Sequence, residues 1–223
     1  MNKHQECLER PSFNTNMDEA DTRIWLHCIH CAGTKILIYS PDTDIYHIGL
    51  GLVHVIPDTD MIVQLSKSLT EAPRLLYLNN LVEALRNDPD LSSIPPELRP
   101  QTIQSLYACT GCDYVSFFAG IGKNSFLSTF FQYAQFISSG VDPPGSLGSL
   151  GVVSTSHTDT SFLSFVRLVG CAYFRLHTSA FAQPSPVALY HSIANRDAFQ
   201  AHADWLELIR RAVRLKCPHL GSS

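Results

Sequence analysis

Between Asp18 and Pro41 the spacing of apolar positions changes from helical to continuous. Residues 19–31, EADTRIWLHCIHC, carry apolar side chains at Ile24, Leu26, Cys28, Ile29 and Cys31, which suits a helix with Asp18 or Asn16 near its cap and Gly33 at its end. Residues 35–40, KILIYS, then form an unbroken apolar run of the kind that makes a buried central strand, stopped by Pro41. Helix, glycine, buried strand and polar turn in that order predict a parallel α/β sheet, whose ligands gather at the carboxyl ends of the strands. Asp42 and Asp44 stand at that end.

The tetrapeptide PDTD at residues 41–44 recurs at 57–60 between VHVI and MIVQL, two strand-like runs. There it predicts a hairpin turn with Pro and Asp in ordinary turn roles, and Asp58 and Asp60 receive no chemistry. Residues 75–87 predict a helix closed by the loop NDPDLSSIPPELRP, and residues 101–109, QTIQSLYAC, a short helix that delivers TGCD. Phe126, Leu127, Phe130, Phe131, Ala134 and Ile137 share a helical face over 124–138, which reads as core rather than as a base-stacking platform.

Residues 138–161, rich in Gly, Ser, Pro and Thr, predict a linker or long loop. A helical extension over 162–217 follows: a helix at 162–178, a Pro-containing loop and two more helices to about Leu215. Its basic end, Arg210, Arg211, Arg214 and Lys216, reads as a solvated face, with nucleic-acid backbone contact as the alternative. Residues 1–16 are polar and predict a disordered or remnant N-terminus.

Composition adds limits. With 223 residues, 45% hydrophobic and 16% charged, the chain can bury a core of ordinary domain size. No apolar run approaches the roughly 18 to 20 residues of a membrane span, and MNKHQECLERPSF lacks a signal-peptide stretch, so the expectation is an intracellular protein, nuclear or cytoplasmic, with no membrane partner. A net charge of −4 argues against coating nucleic acid through bulk positive charge, yet two divalent cations would cancel it. Seven cysteines, an odd number, point to free thiols in a reducing compartment. Cys28 with Cys31 and Cys109 with Cys112 have zinc-like spacing, but the first pair lies in a predicted helix and the pairs are far apart. Buried thiols are the better reading.

The chemistry rests on five acids: Glu19 and Asp21 at the first helix start, Asp42 and Asp44 after the strand, and Asp113 after a later helix. Two residues apart at an element boundary, both carboxylates of a pair can face one cleft. Such a set without bases would repel itself, and divalent cations are the usual remedy. Hard oxygen ligands select Mg²⁺ or Mn²⁺, and two ions about 3.5 to 4 Å apart can activate water and stabilise the leaving oxygen in phosphodiester cleavage. Taken singly, EAD is a helix-dipole partner and DTD a turn.

The order of the segments goes further. E-A-D at a helix start, a strand ending in S-P-D-T-D, then T-G-C-D-Y followed by G-I-G-K resembles the internal region of the flap endonuclease-like (XPG/5′ nuclease) family of PIN-like domains. It is most similar to the uncharacterised multi-copy animal PIN-like proteins, in which EADTR, SPDTD and TGCD recur together. The resemblance covers roughly residues 17–135 and implies an α/β fold over 17–137, a mostly parallel sheet flanked by helices, truncated at its N-terminus. It implies that Glu19 and Asp21 serve one metal and Asp42, Asp44 and Asp113 the second. Gly120, Gly122 and Lys123 would belong to a helix-two-turn-helix hairpin that approaches a DNA backbone, often around K⁺.

The implied activity is two-metal hydrolysis of phosphodiester bonds, with DNA ahead of structured RNA. The alternative is a catalytically inactive PIN-like module that binds nucleic acid or protein. The family carries further metal-binding acids before the EAD motif, whereas only 18 residues precede Glu19 here. The expectation is therefore a first metal short of ligands, or a partner chain that completes the domain.

Overall fold

Ala20–His30 forms helix α1, and the apolar run after it forms strand β1, Lys35–Tyr39. The computed structural model describes residues 20–30, 35–66, 72–111, 118–147, 158–193 and 198–216. The chain divides into two units, residues 1–84 and 85–223.

In the first unit β1 is followed by α2 (Asp44–Leu50), β2 (Asp60–Gln64), β3 (Leu75–Tyr77) and the first turns of α3 (Leu78–Arg86). The sheet order is β1-β2-β3. β1 and β2 run parallel, with Lys35 opposite Asp60 and Tyr39 opposite Gln64, while β2 and β3 run antiparallel, with Val63 opposite Leu76. The α/β class therefore holds, but among the described residues the sheet is small and mixed in place of the mostly parallel one expected.

Three expectations are corrected. The segment before the second PDTD is not a strand: residues 51–59 wind through turns, with Leu52 N–H donating to Gly49 O and Val55 N–H to Leu52 O. They carry the chain out of α2 and into β2, because parallel neighbours need a crossover rather than a hairpin. The helix expected at 75–87 begins only at Leu78, since Leu75–Tyr77 pairs with β2. Finally, among the described residues β2 is the central strand, with Met61 and Val63 fully buried, whereas β1 is at the edge and leaves Leu37 59% and Tyr39 44% exposed. An unbroken apolar run reports that two faces are apolar, not that both are covered.

Pairing register puts Leu37, Ile62 and Tyr77 on one face, with Tyr39, Gln64 and Leu75 beside them. The opposite face carries Ile38 and Val63 into the core with Ile45, Leu50 and Leu78. The one buried residue of α1 is Trp25, which the helical spacing had not singled out; its indole N–H donates to Ile45 O at 2.7 Å. Asn79 fixes the start of β2, accepting from Met61 N–H at 2.8 Å and donating to Thr59 O at 3.1 Å.

Trp25 reaches α2 over Gly49, where a Cβ would lie 2.3 Å from Trp25 Cζ2 and 2.6 Å from Leu78 Cδ1. Gly49→Ala is expected to destabilise the protein by about 1 to 3 kcal/mol through overpacking. Urea unfolding followed by Trp fluorescence should show a lower midpoint at an unchanged slope.

The second unit holds the end of α3, a 3-10 turn at Pro89–Leu91, α4 (Arg99–Cys109), α5 (Lys123–Ser138), α6 (Thr158–Leu176), α7 (Pro186–Ser192) and α8 (Ala198–Lys216). α5 packs on α6, and α6 on α8. As the spacing predicts, α5 buries Phe126, Phe130, Ala134 and Ile137. Cys171, Phe174, Leu189, Trp205 and Ile209 make a second cluster between α6, α7 and α8.

The Gly/Ser/Pro segment starts as packed chain. Val141 and Leu147 are buried, and Gly145, at φ +86°, comes so close to α4 that a Cβ would meet Thr102 Oγ1 at 2.5 Å. Residues 148–157 of that segment lie outside the described residues. Among the described residues no helix is long and apolar enough to cross a membrane.

Candidate functional site

The end of β1 is built by short-range hydrogen bonds. Ser40 N–H donates to Gln64 O at 3.1 Å, extending the parallel pairing by one residue. Ser40 Oγ then accepts from Asp42 N–H, and Asp42 Oδ1 accepts from Asp44 N–H, both at 3.1 Å. The second bond is an Asx turn, which starts α2 at Asp44. Asp42 is exposed and Asp44 half-buried in the first turn of α2. Both acids thus stand at the carboxyl end of a strand, where a carboxylate that accepts one amide keeps lone pairs for a cation.

Asp21 lies half-buried in the first turn of α1. Beside it a cavity of about 760 Å³ opens between α1 and β1, lined by Ala20, Arg23, Ile24, Cys28, Leu37 and Tyr39 among others. Glu19 and Asp113 fall outside the described residues. Among the described residues no group of three or more His, Cys, Asp or Glu comes together to hold a metal ion, so Asp21, Asp42 and Asp44 do not form such a group.

The G-I-G-K segment forms the turn into α5. Ile121 N–H donates to Phe118 O at 3.2 Å, and Gly120 adopts φ +76°, a conformation that favours glycine. Gly122 caps α5 without a side chain over the first-turn amides, and Ser125 N–H and Phe126 N–H both donate to its carbonyl. Its own φ is −85° and a Cβ there would meet nothing within 4 Å, so neither backbone nor packing calls for glycine at this position. Open space over a helix N-terminus is what close approach of a phosphate uses. Lys123 holds its ammonium 3.5 Å from the Tyr107 ring centroid, a cation–π contact that ties α5 to α4.

Arg175 is the neighbour that sequence reading missed. Its Nη1 donates to Ser128 Oγ at 2.9 Å and to Thr129 Oγ1 at 2.8 Å. With Gly120, Ile121 and Ser125 it lines a recess of about 160 Å³ beside the turn. No local signal could have found it, because it comes from the last turn of a helix some fifty residues later.

Cys28, Cys109 and Cys171 are not disulfide-bonded, and Cys109 donates to Leu147 O at 3.9 Å. Burial pushes the Cys171 thiol far above its usual range, so it is inert as a nucleophile. Cys31 and Cys112, which the zinc-like spacing needs, lie outside the described residues.

At the basic end, Glu207 accepts from Arg210 and Arg211, whose hydrogen bonds hold its carboxyl down at about 2. Such a depressed group adds stability above its ordinary pKa and loses it as pH falls towards 2; exposure keeps the contribution small.

Comparison of the chain with family models, with curated proteins and with solved structures finds no match.

Proposed function

We propose that this chain is a PIN-like, flap endonuclease-like domain whose strand-end acids bind Mg²⁺ or Mn²⁺ and whose glycine turn meets the phosphodiester backbone of nucleic acid, DNA ahead of RNA. The observation that carries the reading is the DTD at the carboxyl end of β1. Asp42 and Asp44 stand where a parallel strand enters its crossover helix, with Asp42 already fixed by the Asx turn. The open Gly122 and the recess under Arg175 support the nucleic-acid half of the reading. On the expectation carried by the resemblance, Glu19, Asp21 and Asp113 join the same ligand set. Among the described residues β1 is at the edge of the sheet, a position open to a further strand from elsewhere in this chain or from a partner chain.

The first test is thermal stability in millimolar Mn²⁺. A cation that binds only the folded chain stabilises it by about 1.4 kcal/mol at ten times its Kd, and Asp42→Asn with Asp44→Asn should remove that gain. A melting temperature unmoved by Mn²⁺ sinks the metal reading. The second test is Mn²⁺-dependent cleavage of a 5′-flap DNA.

Binding of DNA without cleavage would favour the inactive module.

A further inference from the structure

The face of α6 that carries Val169, Tyr173 and Leu176 and the face of α8 that carries Leu206, Ile209 and Val213 form the two walls of a groove of about 650 Å³. Each stripe repeats at three- and four-residue intervals over two turns, about 10 Å of helix. Ala119 and Gly120 also line it, and Arg210 and Arg214 stand on the α8 side. The core beneath buries Cys171, Phe174 and Trp205 on the inner faces of the same helices, and Ile209 belongs to it at the floor of the groove.

We propose that this groove docks an amphipathic partner helix whose apolar stripe is flanked by acidic residues. Three observations converge on that occupant. Val169, Tyr173, Leu206 and Val213 are half-buried, Leu176 is exposed and Ile209 forms the buried floor. Two packed helices that leave apolar side chains open between them present the seat of a third helix, which inserts anchors three, four and seven residues apart.

The groove is also open along one side, with Leu176 50% exposed. Small molecules are held in sites that enclose most of their surface, whereas a docked helix keeps one face in water. The charge is complementary as well. Arg210, Arg211 and Arg214 outnumber Glu207, leaving two positive charges in excess, and Arg214 makes no ion pair among the described residues. Acidic flanks would be drawn in, and basic ones turned away. The groove shares Gly120 and Leu176 with the recess beside the glycine turn, but the proposal needs neither the metal nor Asp42.

The test uses the full chain and a fluorescein-labelled synthetic helix of about four turns, with leucines at i, i+3 and i+7 and glutamates on both flanks. Anisotropy should show saturable micromolar binding. Leu176→Glu should weaken it by about tenfold or more at an unchanged melting temperature, because the side chain is half exposed. Arg210→Glu with Arg214→Glu should transfer the preference to a lysine-flanked version of the peptide.

The proposal is overturned if the glutamate peptide fails to bind at about 1 mM, an affinity worth only about 4 kcal/mol. Equal binding of the lysine peptide to the unaltered chain, or binding indifferent to Leu176→Glu, overturns it too. Displacement of the peptide by decanoate at equal concentration would mark a small-molecule pocket, and a dimer broken by Leu176→Glu in sedimentation would mark a second copy as the occupant.

Discussion

Arg99→Leu is expected to lower the unfolding free energy by about 3 kcal/mol, read as a lower urea midpoint at an unchanged slope. Arg99 is only 7% exposed and, among the described residues, is hydrogen-bonded to backbone carbonyls with no carboxylate partner. Nε donates to Ile94 O at 2.8 Å, and Nη1 reaches Leu85 O, Arg86 O and Asp88 O. Leu85 and Arg86 end α3, so the guanidinium sits on the negative end of that helix and satisfies carbonyls that have no partner within it.

Leucine fills much of the volume but takes the donor from Ile94 O and Arg86 O, while Leu85 O and Asp88 O keep the N–H groups of Asp88 and Leu91. The desolvation of the two carbonyls that lose a donor sets the size of the effect. Arg99→Lys should fall between the two, since an ammonium restores the charge without the planar fork. A midpoint within about 0.5 kcal/mol of the unaltered protein for the leucine variant would show that water replaces the guanidinium. The consequence extends to the candidate site, because α4 carries Tyr107 beneath the Lys123 ammonium.

Gly170→Val should cost a similar amount, about 3 kcal/mol, by a different route. A Cβ at Gly170 would lie 2.4 Å from both Cη2 and Cζ3 of Trp205. That ring is fully buried, with Phe136 and Tyr190 packed edge-on at 5.9 and 6.1 Å. Among the described residues its indole N–H has no acceptor, and packing holds it. A ring pushed from this position moves α8 against α6, and with it the walls of the apolar groove.

The measurement is Trp emission together with urea unfolding. The valine variant should shift emission to longer wavelength, lower the midpoint and weaken the glutamate-flanked peptide, while Gly170→Ala should do each to a smaller degree. Unchanged emission and midpoint would mean that the two helices separate without strain.

The candidate site was legible in the sequence only where neighbours along the chain create it. Asp42 and Asp44 could be placed at a strand end because the apolar run stops at Pro41, whereas the helix α2 that begins at Asp44 was not read from the sequence. The turn at Gly120 and Gly122 could be placed because α5 announces itself by the period of Phe126, Phe130, Ala134 and Ile137. Arg175 beneath that turn and Tyr107 beneath Lys123 could not, for each comes from another helix. The arginine-rimmed groove was visible only as a basic run, without the α6 stripe that makes it a groove.

The same line divides the fold. Periodicity located α1, β1, α4, α5 and the three C-terminal helices, since each is defined by the residues within it. It missed that β1 lies at an edge, that Leu75–Tyr77 is a strand, that PDTD at 57–60 leads into a parallel pair and that Trp25 is the buried residue of α1. Each of those depends on a partner elsewhere in the chain: the ladder of β2, the carbonyl of Ile45, the gap left by Gly49. Apolar spacing says which side chains avoid water, and only the packed chain says what covers them.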